Sequence, residues 1–92
     1  MEKLIGDMYL AAALLAYDAD MERIDRSDNR RQKFVFTGEV KEIYVMEGNF
    51  PIRKINPSLD DIEMAFVGHK LMFPATYPDA LRRIKSAIHA NE

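Results

Sequence analysis

The sequence predicts an α+β domain in which a small β-hairpin or sheet packs on a buried, Ala-rich N-terminal helix, with two further helices toward the C-terminus. Three observations predict it. The stretch Gly6-Asp7-Met8-Tyr9-Leu10-Ala11-Ala12-Ala13-Leu14-Leu15-Ala16-Tyr17 is apolar on every side of a helical wheel, and such a helix has to be buried. Arg31-Gln32-Lys33-Phe34-Val35-Phe36-Thr37 alternates with the period of a strand. Tyr77, Leu81, Ile84 and Ile88 recur at helical spacing near the end of the chain.

Taken in order, Met1 to Ile5 suits a brief extended lead-in or short strand, which Gly6 breaks. Asp7 is placed to cap the central helix, and the alanines and leucines after it are strong helix formers. Ala19 to Arg26 alternates loosely, Ser27-Asp28-Asn29 supplies turn residues, and Arg31 to Thr37 returns as the second strand of an antiparallel hairpin. Phe34 and Phe36 then face the core under the helix, with Lys33, Val35 and Thr37 on the other face. Residues 39–47 are ambiguous. Val40, Ile43 and Tyr44 fit a helical stripe and Tyr44-Val45-Met46 a strand, with Thr37 as a cap and Gly48 as a stop favouring helix. Asn49 to Ile55 reads as an irregular connection, because Pro51 fits only an edge or a loop. Ser58 and Asp61 form a capping box for a helix with Leu59, Ile62 and Phe66 as its buried stripe and Gly68 as its end. Leu71-Met72-Phe73 is too short to classify. Thr76 is expected to cap the last helix, whose opposite face carries Arg82, Arg83, Lys85 and His89.

At 92 residues the chain makes a single domain, residues 1–92, with a modest core. Hydrophobic content of 48% and charged content of 30% are ordinary for a globular protein, which argues against disorder. With no Cys, disulfides, thiolate metal sites and thiol catalysis are excluded. The longest apolar run, Met8 to Tyr17, is far short of the ~20 residues that span a bilayer, so no membrane association is expected. Glu2, Asp7 and the Tyr17-Asp18-Ala19-Asp20 context read poorly as a signal peptide, which leaves the cytoplasm as the expected location. The net charge of −2 is unevenly placed: residues 39–67 hold six acids against three bases, and residues 69–92 four bases against two acids. That asymmetry could orient a partner.

Candidates for chemistry have structural explanations. Asp18, Asp20 and Glu22 on one strand face could hold a hard cation, but Ile24 shares that face and no calcium-loop pattern is present, so a solvated face is the better reading. Asp60, Asp61 and Glu63 suit the positive end of a helix. His69 and His89 lie on different elements, without a carboxylate relay, and are expected at the surface. No phosphate cradle, nucleophile elbow or metalloprotease helix occurs, so no enzyme activity, cofactor or metal is expected. The basic residues of the hairpin, Arg23, Arg26, Arg30, Arg31 and Lys33, are matched by five acids between Asp18 and Lys33. A nucleic-acid surface usually has a net basic footprint.

The Ala/Leu-rich helix opened by Asp7, the charged hairpin ending in Phe34-Val35-Phe36, and the closing Ala65-Phe66-Val67-Gly68 and Tyr77-Pro78-Asp79-Ala80-Leu81-Arg82-Arg83-Ile84-Lys85 together resemble a family of short uncharacterised phage and prophage proteins, catalogued as a domain of unknown function. Residues 39–58 depart from that likeness as an insertion. The resemblance implies a viral or prophage source and a small α+β fold, and carries over no functional residue. It leads to the expectation of a small non-enzymatic protein that docks onto a host protein in the host cytoplasm, as inhibitors of bacterial defence such as anti-CRISPR proteins do. Phe50, Ile52, Met72 and Phe73, on irregular segments, are the expected apolar contacts. Arg30, Arg31, Arg82 and Arg83 are the expected basic ones. The alternative is a nucleic-acid-binding or regulatory accessory protein with those four arginines on phosphates. The apolar surplus also predicts a homodimer through Phe50 to Ile55 or Leu71 to Phe73.

Overall fold

Asp7 sets where the first helix begins. Its carboxylate accepts the backbone N–H groups of Tyr9 at 2.7 Å and Leu10 at 3.2 Å, donors that have no partner within a helix. The computed structural model of the chain describes residues 2–28 and 31–89, and for Asp28 and Arg31 the backbone alone. In chain order it contains β1 (Lys3–Ile5), α1 (Met8–Ala16), β2 (Asp20–Asp28), β3 (Arg31–Thr37), β4 (Glu42–Glu47), β5 (Phe50–Ile55), α2 (Leu59–Val67) and α3 (Tyr77–His89). The class is α+β. One antiparallel sheet has the order β1-β3-β2, and a second pairs β4 with β5. The Ala-rich helix follows β1, which pairs with β3 at the sheet's edge.

Leu10 to Leu15 are all buried, as the all-round apolar character of α1 requires. Phe34 and Phe36 join them from β3, and Ile5, Ala19, Val40, Ile43, Val45, Ile62, Leu71, Ala80 and Ile84 complete one cluster. Helix α1 packs most closely on α3, whose buried residues are Ala80 and Ile84. Val35 is buried as well, outside that cluster on the opposite face of the sheet. No helix among the described residues is long and apolar enough to cross a membrane.

Helices α1 and α2 end in the same way. After α1, Ala19 N–H donates to Leu14 O and Asp18 N–H to Leu15 O, both at 2.9 Å, with Asp18 left-handed at φ 67°. After α2, Lys70 N–H donates to Ala65 O at 2.9 Å and His69 N–H to Phe66 O at 3.1 Å, with His69 at φ 58°. Both are Schellman turns, in which one left-handed residue lets two N–H groups reach back to orphan carbonyls. Gly68 caps α2 as expected, yet the left-handed residue is His69; Gly68 itself has φ −77°. Asp18 belongs to this turn, so Asp18, Asp20 and Glu22 do not share a strand face. Among the described residues no group of three or more His, Cys, Asp or Glu is placed to hold a metal ion.

One ambiguity is resolved and one expectation overturned. Residues 39–47, ambiguous between helix and strand with helix favoured, contain the strand β4, and residues 49–55, read as an irregular connection, contain β5. Ile43 and Val45 are the buried alternate pair of β4, while Val40, which imitated a helical stripe, is buried from the preceding loop. Gly48, at φ 62°, and Asn49 form the tight turn, a conformation that Gly adopts without the steric cost of a Cβ. Pro51 is tolerated because β5 is an edge strand. Thr76 takes the N-cap position of α3, its carbonyl accepting the Ala80 N–H at 3.0 Å, while its hydroxyl donates to the Ala16 carbonyl at 3.5 Å.

Candidate protein-docking face

Strand β5 has one bonded edge and one open edge. Lys54, Ile52 and Phe50 are register partners of Ile43, Val45 and Glu47, and Asn56 N–H donates to Lys41 O at 2.8 Å. On the far side of β4, Met46 N–H donates to Lys70 O at 2.7 Å and Met72 N–H to Tyr44 O at 2.9 Å, so that edge is taken by the 70–72 segment. Main-chain groups alternate sides along an antiparallel strand. Those of Ile52 and Lys54 therefore point at β4, and those of Arg53 and Ile55 point out of the sheet, where no strand is paired among the described residues.

Helix α2 forms a wall beside this strand. Its stripe of Leu59, Ile62 and Phe66 turns to the core, which leaves Met64 at 73% and Val67 at 68% exposed. Between α2 and the β4–β5 sheet lies a trough of about 520 Å³, with Ile43, Val45 and Lys54 on the strand side and Met64, Ala65 and Gly68 on the helix side. Phe50, 72% exposed, and Ile52, 40% exposed, share this face, since antiparallel partners point the same way and their partners Glu47 and Val45 line the trough.

Charge around the trough is mixed and structurally anchored. The Ser58 backbone N–H, followed by the Ser58 hydroxyl, holds the Asp61 carboxyl below the usual carboxylate range, with a lesser contribution from Lys54. This is the reciprocal capping box, at 3.0 and 3.1 Å. Lys3 ties α2 to β1 through Asp60 and, at 3.2 Å, Glu63; its hydrogen bond to Asp60 is the main cause of its raised pKa. Arg53, on the opposite face of β5, approaches Glu42 at 3.5 Å.

The expected contact residues separate into distinct places. Phe50 and Ile52 share the sheet face that the trough lies over, without lining it. Met72, half-buried, and Phe73 lie beyond the other edge of β4, where the Phe73 ring meets Phe66 edge-on at 6.3 Å and tilts over Tyr77 at 4.6 Å. Arg82 pairs with Asp79 at 3.3 Å, and Arg83 is exposed beside it on α3. Arg30 lies outside the described residues, as does the Arg31 side chain, although the Arg31 backbone pairs with Asp28. Met64 and Val67 are exposed apolar residues that sequence reasoning missed, as are Leu4, Tyr9 and Tyr44 elsewhere on the surface. Met64 and Val67 stand off the Leu59–Ile62–Phe66 stripe, which is the signal that could have found them.

The other arginines of the hairpin are engaged within the fold. Arg23 contacts Glu2 at 3.1 Å and Glu22 at 2.8 Å, and Arg26 donates to the Ala87 and Ile88 carbonyls at 3.1 and 3.2 Å. No family model, curated protein or solved structure matches the chain.

Proposed function

We propose that this chain is a non-enzymatic docking protein that covers a surface of another protein with the face built by β5 and α2. The observation that carries this reading is exposed Phe50 and Ile52 on the sheet face that the trough lies over, with exposed Met64 on the trough's helix wall, beside an open strand edge. Apolar surface concentrated in this way marks interaction sites. Side chains of chemically capable types have structural work: Ser58 caps α2, Tyr17 bonds to the backbone of Tyr44 and Met72, and His69 is the left-handed residue of the turn after α2. Taken with the phage-family resemblance, the reading is of a protein that inhibits a host factor by occlusion, anti-defence function included. Protein docking is favoured over nucleic-acid binding because Arg23, Arg26 and Arg82 all have partners within the chain.

Affinity capture from bacterial lysate tests this with three forms of the chain. A partner retained by the native chain and by Arg83→Ala, but lost from a Phe50→Ser/Met64→Ser variant, is the expected result. No specific partner in repeated captures, or one held equally by the double variant, overturns the reading.

A further inference from the structure

We infer that the occupant of this face is an extended segment of another protein that adds to the open edge of β5 as a further strand, with apolar side chains beside Phe50 and Ile52 and an acidic one beside Arg53. The inference rests on the docking reading above and names the partner's chemistry. The edge presents the main-chain groups of Arg53 and Ile55, which a strand satisfies and a helix does not. Side chains of an added strand alternate between faces. Those on one face fall beside Ile52 and Phe50 and extend the apolar face of β5. Those on the other fall beside Arg53, whose side chain is 59% exposed even with Glu42 nearby.

Charge decides between a foreign segment and a second copy. Phe50-Pro51-Ile52-Arg53-Lys54-Ile55 carries two bases and no acid. Antiparallel pairing of two β5 edges centred on Arg53 sets Arg53 opposite itself, and centring on Lys54 sets Lys54 opposite itself; like charges directly opposed are destabilising. Moving the centre toward Ile52 brings in Pro51, which has no N–H to give. Moving it toward Ile55 leaves little of the strand paired. The homodimer expected through Phe50 to Ile55 is thus opposed by the strand's own residues, and an acidic partner strand is complementary.

The test uses the isotope-labelled full chain and two short acetylated peptides, one alternating Val and Glu, the other Val and Lys. Amide NMR should show the Val/Glu peptide shifting and protecting the Arg53 and Ile55 N–H groups, with affinity about tenfold above the Val/Lys peptide. Arg53→Glu should invert that preference. Arg53→Pro should abolish both without altering the thermal unfolding, since that N–H makes no bond to β4. Equal affinity for the two peptides, or the absence of shifts at Arg53 and Ile55, overturns strand addition. So does protection of those amides in the peptide-free chain together with a dimer mass by light scattering. If Arg53→Pro retains the lysate partner that the Phe50→Ser/Met64→Ser variant loses, docking stands and strand addition falls.

Discussion

The Tyr17 hydroxyl accepts the backbone N–H of Tyr44 at 3.3 Å and in turn donates to the Met72 carbonyl. One side chain at the end of α1 thereby fastens β4 and the 70–72 segment, and with them the β4–β5 sheet, to the helix at the centre of the core.

Tyr17→Phe should therefore lower stability by about 1 kcal/mol, as expected for two backbone groups, one of them half-buried, losing a partner. Each kcal/mol corresponds to roughly 4–8 °C in Tm for a domain of this size. Burial raises the Tyr17 phenol pKa above its ordinary value near 10, opposed by the hydrogen bond with Tyr44. A folded-state pKa above the unfolded one means that the unfolded chain loses this proton first as pH rises. The contribution is complete below pH ~10 and is lost as pH climbs through the folded pKa. Denaturant titrations between pH 9 and 11 should show a shallower alkaline loss in Tyr17→Phe than in the native chain; identical slopes would contradict the assignment.

The left-handed residues of the two Schellman turns give a prediction of opposite sign. His69→Gly should stabilise the protein by about 1 kcal/mol, because Gly adopts the left-handed conformation without the steric cost of a Cβ. Asp18→Gly should gain less, since Asp tolerates that region better. Thermal unfolding checks both, and a lower Tm for His69→Gly would show that its side chain makes a contribution larger than the strain.

Local chemistry explains which parts of this fold were legible. Asp7 before an Ala/Leu run, the alternation of residues 31–37, the Ser58–Asp61 box and the stripe of α3 are signals in which propensity and burial agree, and all four elements formed. Over residues 39–47 they conflicted: Val40, Ile43 and Tyr44 share a helical spacing, but Val40 is buried from a loop and Ile43 and Val45 from a strand. The Gly48-Asn49 pair between alternating runs was the hairpin signal that could have corrected this. Of the candidate site, Phe50 and Ile52 were legible as apolar residues next to Pro51. That their sheet face also carries the trough walled by Met64 was not, because the sheet and α2 are brought together by tertiary packing.

Arg26 binds the carbonyl end of α3, where a cation also complements the helix dipole. Arg26→Met should cost about 1 kcal/mol. Hydrogen exchange should accelerate in the last turn of α3, near Ala87 to His89, and remain unchanged in α1. Uniform acceleration across the chain would instead indicate a global effect.

Core and face residues should differ sharply. Ile84→Ala leaves a cavity where the side chain is fully buried and should cost about 2–5 kcal/mol. Phe50→Ser removes a largely exposed ring and should change stability by no more than about 0.5 kcal/mol. Urea midpoints compare them directly; a large loss for Phe50→Ser would make that ring structural and remove it from the docking face.

The central claim is that the face of β5 and α2 meets the partner, and site-specific photocrosslinking tests it most directly. Benzoylphenylalanine placed at position 50, 64 or 83 is irradiated in bacterial lysate, and the adducts are identified by mass spectrometry. The docking account predicts that positions 50 and 64 capture the same protein and that position 83, on α3, does not. Capture of that protein from position 83 but from neither 50 nor 64 would contradict it.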